Sequence, residues 1–163
     1  MGIDPDLVDR FIHDKILTPR NQTAITHALA AMKAAKGRDE ILKVAMQAQT
    51  PVDSVFFQQI AETLAGYDET VSQIVEIRLY NGIALGYAEN GIVVCALPLD
   101  YGRWTNTAAS VLEDMVANYP KVAGAKKLEF WVTGRVSQLA EESRGKLGIG
   151  VVQNVDQRFG MLD

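Results

Sequence analysis

The hydrophobic pattern of this chain changes period once. Before Val71 apolar residues recur every three or four positions; after it they alternate or run in short continuous blocks. Val71-Ser72-Gln73-Ile74-Val75-Glu76-Ile77-Arg78-Leu79-Tyr80 leads into Asn81-Gly82. Ile83-Ala84-Leu85-Gly86-Tyr87-Ala88-Glu89 then leads into Asn90-Gly91, and Ile92-Val93-Val94-Cys95-Ala96-Leu97-Pro98 follows. Asn-Gly between β-rich blocks marks a type I′ hairpin turn, because both central residues need positive φ. The pattern therefore predicts a three-stranded antiparallel meander. In its first strand, alternation sets Ile74, Glu76, Arg78 and Tyr80 on one face and Val75, Ile77 and Leu79 on the other, so that strand is half solvated. The third strand is apolar throughout and is expected at the sheet's centre.

Pro98 has no N–H to give a ladder and Asp100-Tyr101-Gly102-Arg103 is turn-rich, so the third strand should end there. Trp104 to Tyr119 reads as a helix: Thr105 or Asn106 caps it, Ala108, Val111, Leu112 and Met115 form its stripe, and Pro120 stops it. Residues 126–132 read as a strand, 137–147 as a helix ended by Gly148, and 149–155 as a last strand. A strand, a helix of about three turns and a strand make a right-handed crossover with parallel pairing. Ahead of the meander, Leu7, Val8, Phe11 and Ile12, then Ala24, Ile25, Ala28, Leu29 and Met32, follow helical spacing. Asp39 opens a third helix, and Thr50-Pro51 a fourth that runs through Phe56, Phe57, Ile60 and Leu64 to Gly66. The expected class is α/β (α+β): N-terminal short helices followed by a βββαβαβ mixed sheet with flanking helices, with residues 1–50 a helical extension and 51–163 the α/β core.

Composition narrows the function classes. At 163 residues, 48% hydrophobic and 22% charged, the chain has the make-up of an ordinary soluble domain. No apolar run of about 18 residues and no basic start before an apolar core is present, so no membrane partner and a cytoplasmic location are expected. A net charge of −4 and a pI near 5.2 argue against a protein whose main work is gripping nucleic-acid backbone, since that affinity comes from Lys and Arg on phosphates. Two basic patches survive that argument, Lys121 with Lys126 and Lys127, and Arg135 with Arg144 and Lys146; each reads as solvated element ends or as a groove reader.

Candidate chemistry is sparse. The single Cys95 sits in the expected central strand as a small hydrophobe, and both His13 and His27 lie in the helical half. No phosphate-binding G-x-x-x-x-G-K-[ST], nucleophile elbow, paired cysteine or H-E-x-x-H motif occurs, so no cofactor and no metal are expected. The most distinctive segment is Asp100-Tyr101-Gly102-Arg103-Trp104, at the end of a central strand where open α/β sheets place binding sites. There Arg and Trp form either a stacked surface for a base or partner side chain, or a helix-entry turn anchored by Trp104. Thr133-Gly134-Arg135-Val136-Ser137 is either an anion cradle or a capped turn. The candidate ligand- or partner-binding residues are therefore Asp100, Tyr101, Arg103, Trp104 and Arg135.

The stretch from Asn81 to Cys95 resembles the central hairpin of Mrr-type restriction endonuclease-like domains of the PD-(D/E)xK superfamily, and Val132 to Ser137, continuing through Ala140 to Val152, resembles their closing strand, helix and strand. The helix after Pro51 would supply the family's leading helix, so the resemblance covers roughly residues 53–155. It implies an Asp on the second strand and Glu or Gln, any residue, then Lys on the third, holding a divalent metal. Here Ala84 stands at the Asp position and Val94-Cys95-Ala96 at the others, and none of these offers a carboxylate to a hard cation. The expectation is a non-catalytic protein-interaction or assembly module on a degenerate nuclease-like core, with a protein partner or a second copy. The alternative is a nucleic-acid-binding protein or metal-dependent nuclease with relocated catalytic residues, drawn from Glu76, Glu89, Asp100, Glu113 and Glu129.

Overall fold

Helix starts are written into the first half of the chain by prolines that fit a first helical turn and by side chains that cap it. Helix α1 (Pro5–Ile12) is capped by Asp4, whose carboxylate accepts from the Asp6 N–H at 3.0 Å. Helices α2 (Pro19–Ala31) and α4 (Pro51–Thr70) open with capping boxes, Thr18 with Asn21 and Thr50 with Asp53, and α3 (Asp39–Ala45) lies between them. These elements belong to a computed structural model that describes residues 2–161; Met1, Leu162 and Asp163 lie outside them. Helix α4 does not stop at Gly66. A Cβ there would overlap the Phe159 ring, so this glycine serves close packing rather than helix termination, and the helix continues to Thr70.

The meander forms from β1 (Ile74–Tyr80), β2 (Ile83–Ala88) and β3 (Ile92–Leu97), all antiparallel. In its first turn Asn81 (φ 49°) and Gly82 (φ 78°) both take positive φ, as type I′ requires. The second turn differs from expectation: only Gly91 is positive (φ 89°), its N–H donates to the Ala88 carbonyl at 3.0 Å, and the Asn90 side chain accepts from the Ile92 N–H at 3.0 Å. That is a turn closed by a left-handed glycine.

Strict alternation in β1 also fails. The register slips between Ile74 and Glu76, an extra residue at Val75 that puts Ile74 on the same buried face as Ile77. Lys36 occupies this irregular edge, donating to the Val75 carbonyl at 2.9 Å and accepting from the Ile77 N–H at 2.8 Å.

The remaining elements are β4 (Tyr101–Gly102), α5 (Asn106–Asn118), β5 (Lys127–Val132), β6 (Arg135–Val136), α6 (Gln138–Lys146), β7 (Gly150–Val152) and a 3-10 turn at Val155–Gln157. The main sheet has the order β1-β2-β3-β5-β7, with β3, β5 and β7 parallel, so the fold is mixed α/β with a mixed five-stranded sheet. The last strand is shorter than the sequence suggests because Gln153 turns its side chain to the Val136 N–H at 2.8 Å and Asn154 takes φ 55°.

Alternation along the central strands divides the core in two. On one face Ala84, Val94, Ala96 and Trp131 join a cluster with Leu7, Phe11, Ile25, Leu29, Ile41 and Leu64, so the first three helices, α4 and the sheet share one apolar interior. On the other face Leu85, Val93, Cys95, Phe130 and Val132 pack with Met115 and Tyr119 of the α5 region and with Leu147 after α6. Polar side chains fix the helical layer: Asn21 donates to Gln58 at 2.7 Å and accepts from Ser54 at 3.3 Å, all three buried between α2 and α4.

Candidate functional site

Two parallel strands, β3 and β5, send their C-terminal ends to the same place, and the loops that follow do not part. The chain leaves β3 at Pro98, then returns to pair Tyr101 with Arg135 and Gly102 with Val136 in the short β4–β6 ladder. The expected plain turn at residues 100–103 is thus a strand in part. Gly134 makes this approach feasible, since any Cβ there would overlap the Asp100 carbonyl. Its N–H donates to the Leu99 carbonyl at 2.8 Å, the Arg135 N–H to the Asp100 carbonyl at 3.1 Å and the Ser137 N–H to the Gly102 carbonyl at 2.8 Å.

This pairing brings the sequence candidates together. Tyr101 is 54% exposed beside Arg135, and the Arg103 guanidinium lies 5.9 Å from the Tyr101 ring centre. Asp100 gives its backbone carbonyl to the ladder and keeps an exposed side chain. Trp104 is half-buried immediately before Thr105, which caps α5 by accepting from the Ala108 N–H at 3.1 Å. The Thr133–Ser137 segment is a capped turn: the Ser137 hydroxyl accepts from the Ala140 N–H at 3.2 Å.

Beside this ladder the second face of the sheet is left partly open. Helix α5 buries only Met115 along its length, with Val111 still 50% exposed, and α6 buries no residue. Ala108 on α5 and Ala140 on α6 are too short to close the gap between the two helices. The result is an apolar groove of about 420 Å³, floored by Phe130, Val132 and Val151, walled by Trp104 and Val111 on one side and Val136 and Ala140 on the other. Its volume falls in the range of sites that take small ligands or anchoring side chains.

The α6 wall is held by polar contacts rather than burial. Arg144 donates to Glu141 at 2.6 Å and to the Ile149 carbonyl at 3.1 Å, and Gln153 donates to the other Glu141 oxygen at 2.6 Å. Among the described residues the charged ones lining the groove are Arg103 and Arg144. Arg144 is neutralised by Glu141, whereas among the described residues neither Arg103 nor Arg135 forms an ion pair. Sequence reasoning missed Ala108, Ala140 and Val136. A signal for them existed: residues 138–146 contain one large apolar side chain, Leu139, too few for a helix to cover a sheet face.

The positions where the nuclease resemblance expects metal ligands lie elsewhere. Ala84, Val94 and Ala96 share the sheet face beneath the helical layer at 1%, 0% and 1% exposure, and Cys95 points to the opposite face with its thiol pushed up to about 12 by burial. Of the displaced carboxylates, Glu76 pairs with Arg78 at 2.8 Å, and Glu129 accepts from Lys127 at 3.1 Å and from the Trp131 indole at 3.3 Å. Among the described residues no three His, Cys, Asp or Glu side chains gather as metal ligands would. Among the described residues no helix is long and apolar enough to cross a membrane.

A second cleft, of about 480 Å³, runs between α2 and α4 to Met161. Its wall includes four alanines, His27, Glu62, Glu69 and Arg158, and Arg158 already lies 6.0 Å from the Trp131 ring centre. The smaller groove has Trp104 and Arg103 in its lining, and among the described residues Arg103 forms no ion pair. No family model, no curated protein and no solved structure matches the chain.

Proposed function

We propose that this chain is a non-catalytic protein-interaction module that docks a partner in the groove between α5 and α6. The observation that carries this reading is an apolar groove left open on the face of a central sheet, beside an aromatic and arginine-rich rim. Aromatic residues and Arg are the side chains that dominate binding energy at protein interfaces, whereas an apolar floor without convergent acids or bases has no means of moving protons. The burial of Ala84, Val94 and Ala96 under the helical layer supports the same reading, because a phosphodiester cannot reach those positions without displacing core.

The test is selection from a displayed random peptide library with the wild-type chain, counter-screened against Ala140→Trp, which fills the groove. Peptides that bind wild type and lose affinity for the folded variant are the expected result. Peptides that bind both chains equally, or no enrichment at all, would overturn the reading. Incubation with DNA and RNA in Mg²⁺ or Mn²⁺ should leave both intact; cleavage that disappears on changing Glu76 or Asp100 would replace this reading with that of a nuclease with relocated ligands.

A further inference from the structure

The charges at the mouth of the groove select among partners. We infer that the docked segment is acidic and apolar: one or two bulky apolar side chains seated over Phe130 and Val132, flanked by Asp or Glu residues that pair with Arg103 and Arg135. This inference rests on the protein-binding reading above and names its partner.

The argument is charge complementarity. The chain has 20 acidic and 16 basic residues, so its average surface repels acidic partners. Among the described residues no carboxylate lines the groove. Arg103 lines the groove and stands over the Tyr101 ring, and the β4–β6 ladder pairs Tyr101 with Arg135 just outside the lining, so two guanidinium groups flank one ring. Asp100 places one exposed carboxylate on the same loop, leaving the cations in excess. Neither Arg103 nor Arg135 has a carboxylate partner among the described residues, so pairing with an acidic segment breaks no existing ion pair. Guanidinium groups take carboxylates in bidentate geometry, and beside an apolar floor such contacts are less screened than on open surface.

A protein segment fits this surface better than a lone acyl chain. The wall from the α5 cap Thr105 to Leu112 spans about 10 Å at the helical rise. Apolar surface also stays exposed along the groove on Leu99 and Val111 and continues outside it onto Tyr101, a branched surface that several side chains cover better than one straight chain.

The experiment measures fluorescence anisotropy of a labelled peptide of about twelve residues, with two Phe anchors and Glu at the flanking positions, against isomers carrying Lys or Gln in place of Glu. On the full chain the Glu peptide should bind about tenfold or more tighter than the Lys isomer, with the gap narrowing as salt is raised. The double variant Arg103→Glu with Arg135→Glu should reverse the order. Equal binding of all three peptides, lost on Ala140→Trp, would overturn the acidic partner while leaving the groove reading intact. Binding that survives both Ala140→Trp and Val111→Asp, or no peptide binding, would overturn both. Decanoate binding in the groove where no peptide binds would replace the protein partner with a small amphiphile.

Discussion

The two faces of the central sheet are covered by unequal means. The face bearing Ala84, Val94 and Trp131 lies under four helices, and buried side chains from Leu7 to Phe159 pack against it in one cluster. The face bearing Phe130 and Val132 lies under two helices, one burying only Met115 and the other burying nothing. Burial per residue is what stabilises a small α/β domain, so the helical layer carries much of the folding energy and the α5–α6 layer is free to keep exposed apolar surface. On the proposed reading, stability and recognition are separated onto opposite sides of the same strands.

The harshest way to break this comparison is to remove residues 1–50. That deletion takes away Leu7, Phe11, Ile25, Leu29, Ile41 and Leu42 at once, and the apolar sheet face would be exposed to water. The expected loss exceeds the roughly 5–15 kcal/mol that holds a domain of this kind together, so the truncated chain should show no cooperative unfolding transition by circular dichroism. A truncated chain with wild-type-like cooperativity would show that α4 and the sheet form an independent core.

Single truncations sharpen the contrast. Trp131 meets Tyr67 edge-on at 4.9 Å and Phe159 in a stacked contact at 5.7 Å, so Trp131→Ala should cost about 3–5 kcal/mol in urea unfolding. Val111→Ala, on the open face, should cost well under about 1 kcal/mol. Equal costs would mean that the groove closes in solution. Between these lies Gly82→Val, about 1–2 kcal/mol: no atom lies within 4 Å of the added Cβ, so the whole cost is backbone strain at φ 78°.

The sequence carried the element order and the sheet because proline, threonine and Asn-Gly signals act locally, and a local cause leaves a local trace. Departures arose where a distant residue decides. Gly66 looked like a helix stop because Phe159 is far off in sequence, and alternation in β1 misassigned Ile74 because the bulge at Val75 is stabilised by Lys36. The five candidate residues were named from residue type and their place at strand ends, but their coming together depends on Gly134, whose lack of a side chain leaves room for the Asp100 carbonyl. The groove was the least legible feature of all. It is made by what Ala108 and Ala140 fail to fill, and a missing volume has no residue of its own.

Cys95 probes the closed part of the second face. Its thiol is fully buried and pushed up to about 12, so a thiol reagent at mildly alkaline pH should react at the rate of global opening rather than at the rate of a free thiol. Denaturant should release the full reactivity. Fast labelling of the native chain would show that the layer over β3 breathes independently of the helical side.

The smallest expected effects come from two surface acids, the half-buried Asp53 and the exposed Asp114, one on each side. Asp53 accepts from the backbone N–H groups of Gln49 and Thr50 at 3.0 and 2.8 Å, and Asp114 on α5 accepts from the Tyr80 hydroxyl at 2.6 Å and the Asn118 amide at 2.8 Å. These bonds favour the ionised form and hold both carboxyls below their ordinary value of 3.8. A folded value below the unfolded one means that each contribution is fully present above about pH 4 and is lost as the pH falls through the folded value. Asp53→Asn and Asp114→Asn should therefore be slightly less stable than wild type near neutrality and should converge with it on acidification, as read from urea midpoints across pH. The Asp114 bond ties the middle of α5 to Tyr80 at the end of β1, so loosening it should change groove binding as well as stability, whereas Asp53, which only starts α4, should change stability alone. If both variants leave peptide affinity untouched, α5 is positioned by Met115 and Tyr119 without help from that tether, and the open face is more rigid than its exposed side chains suggest.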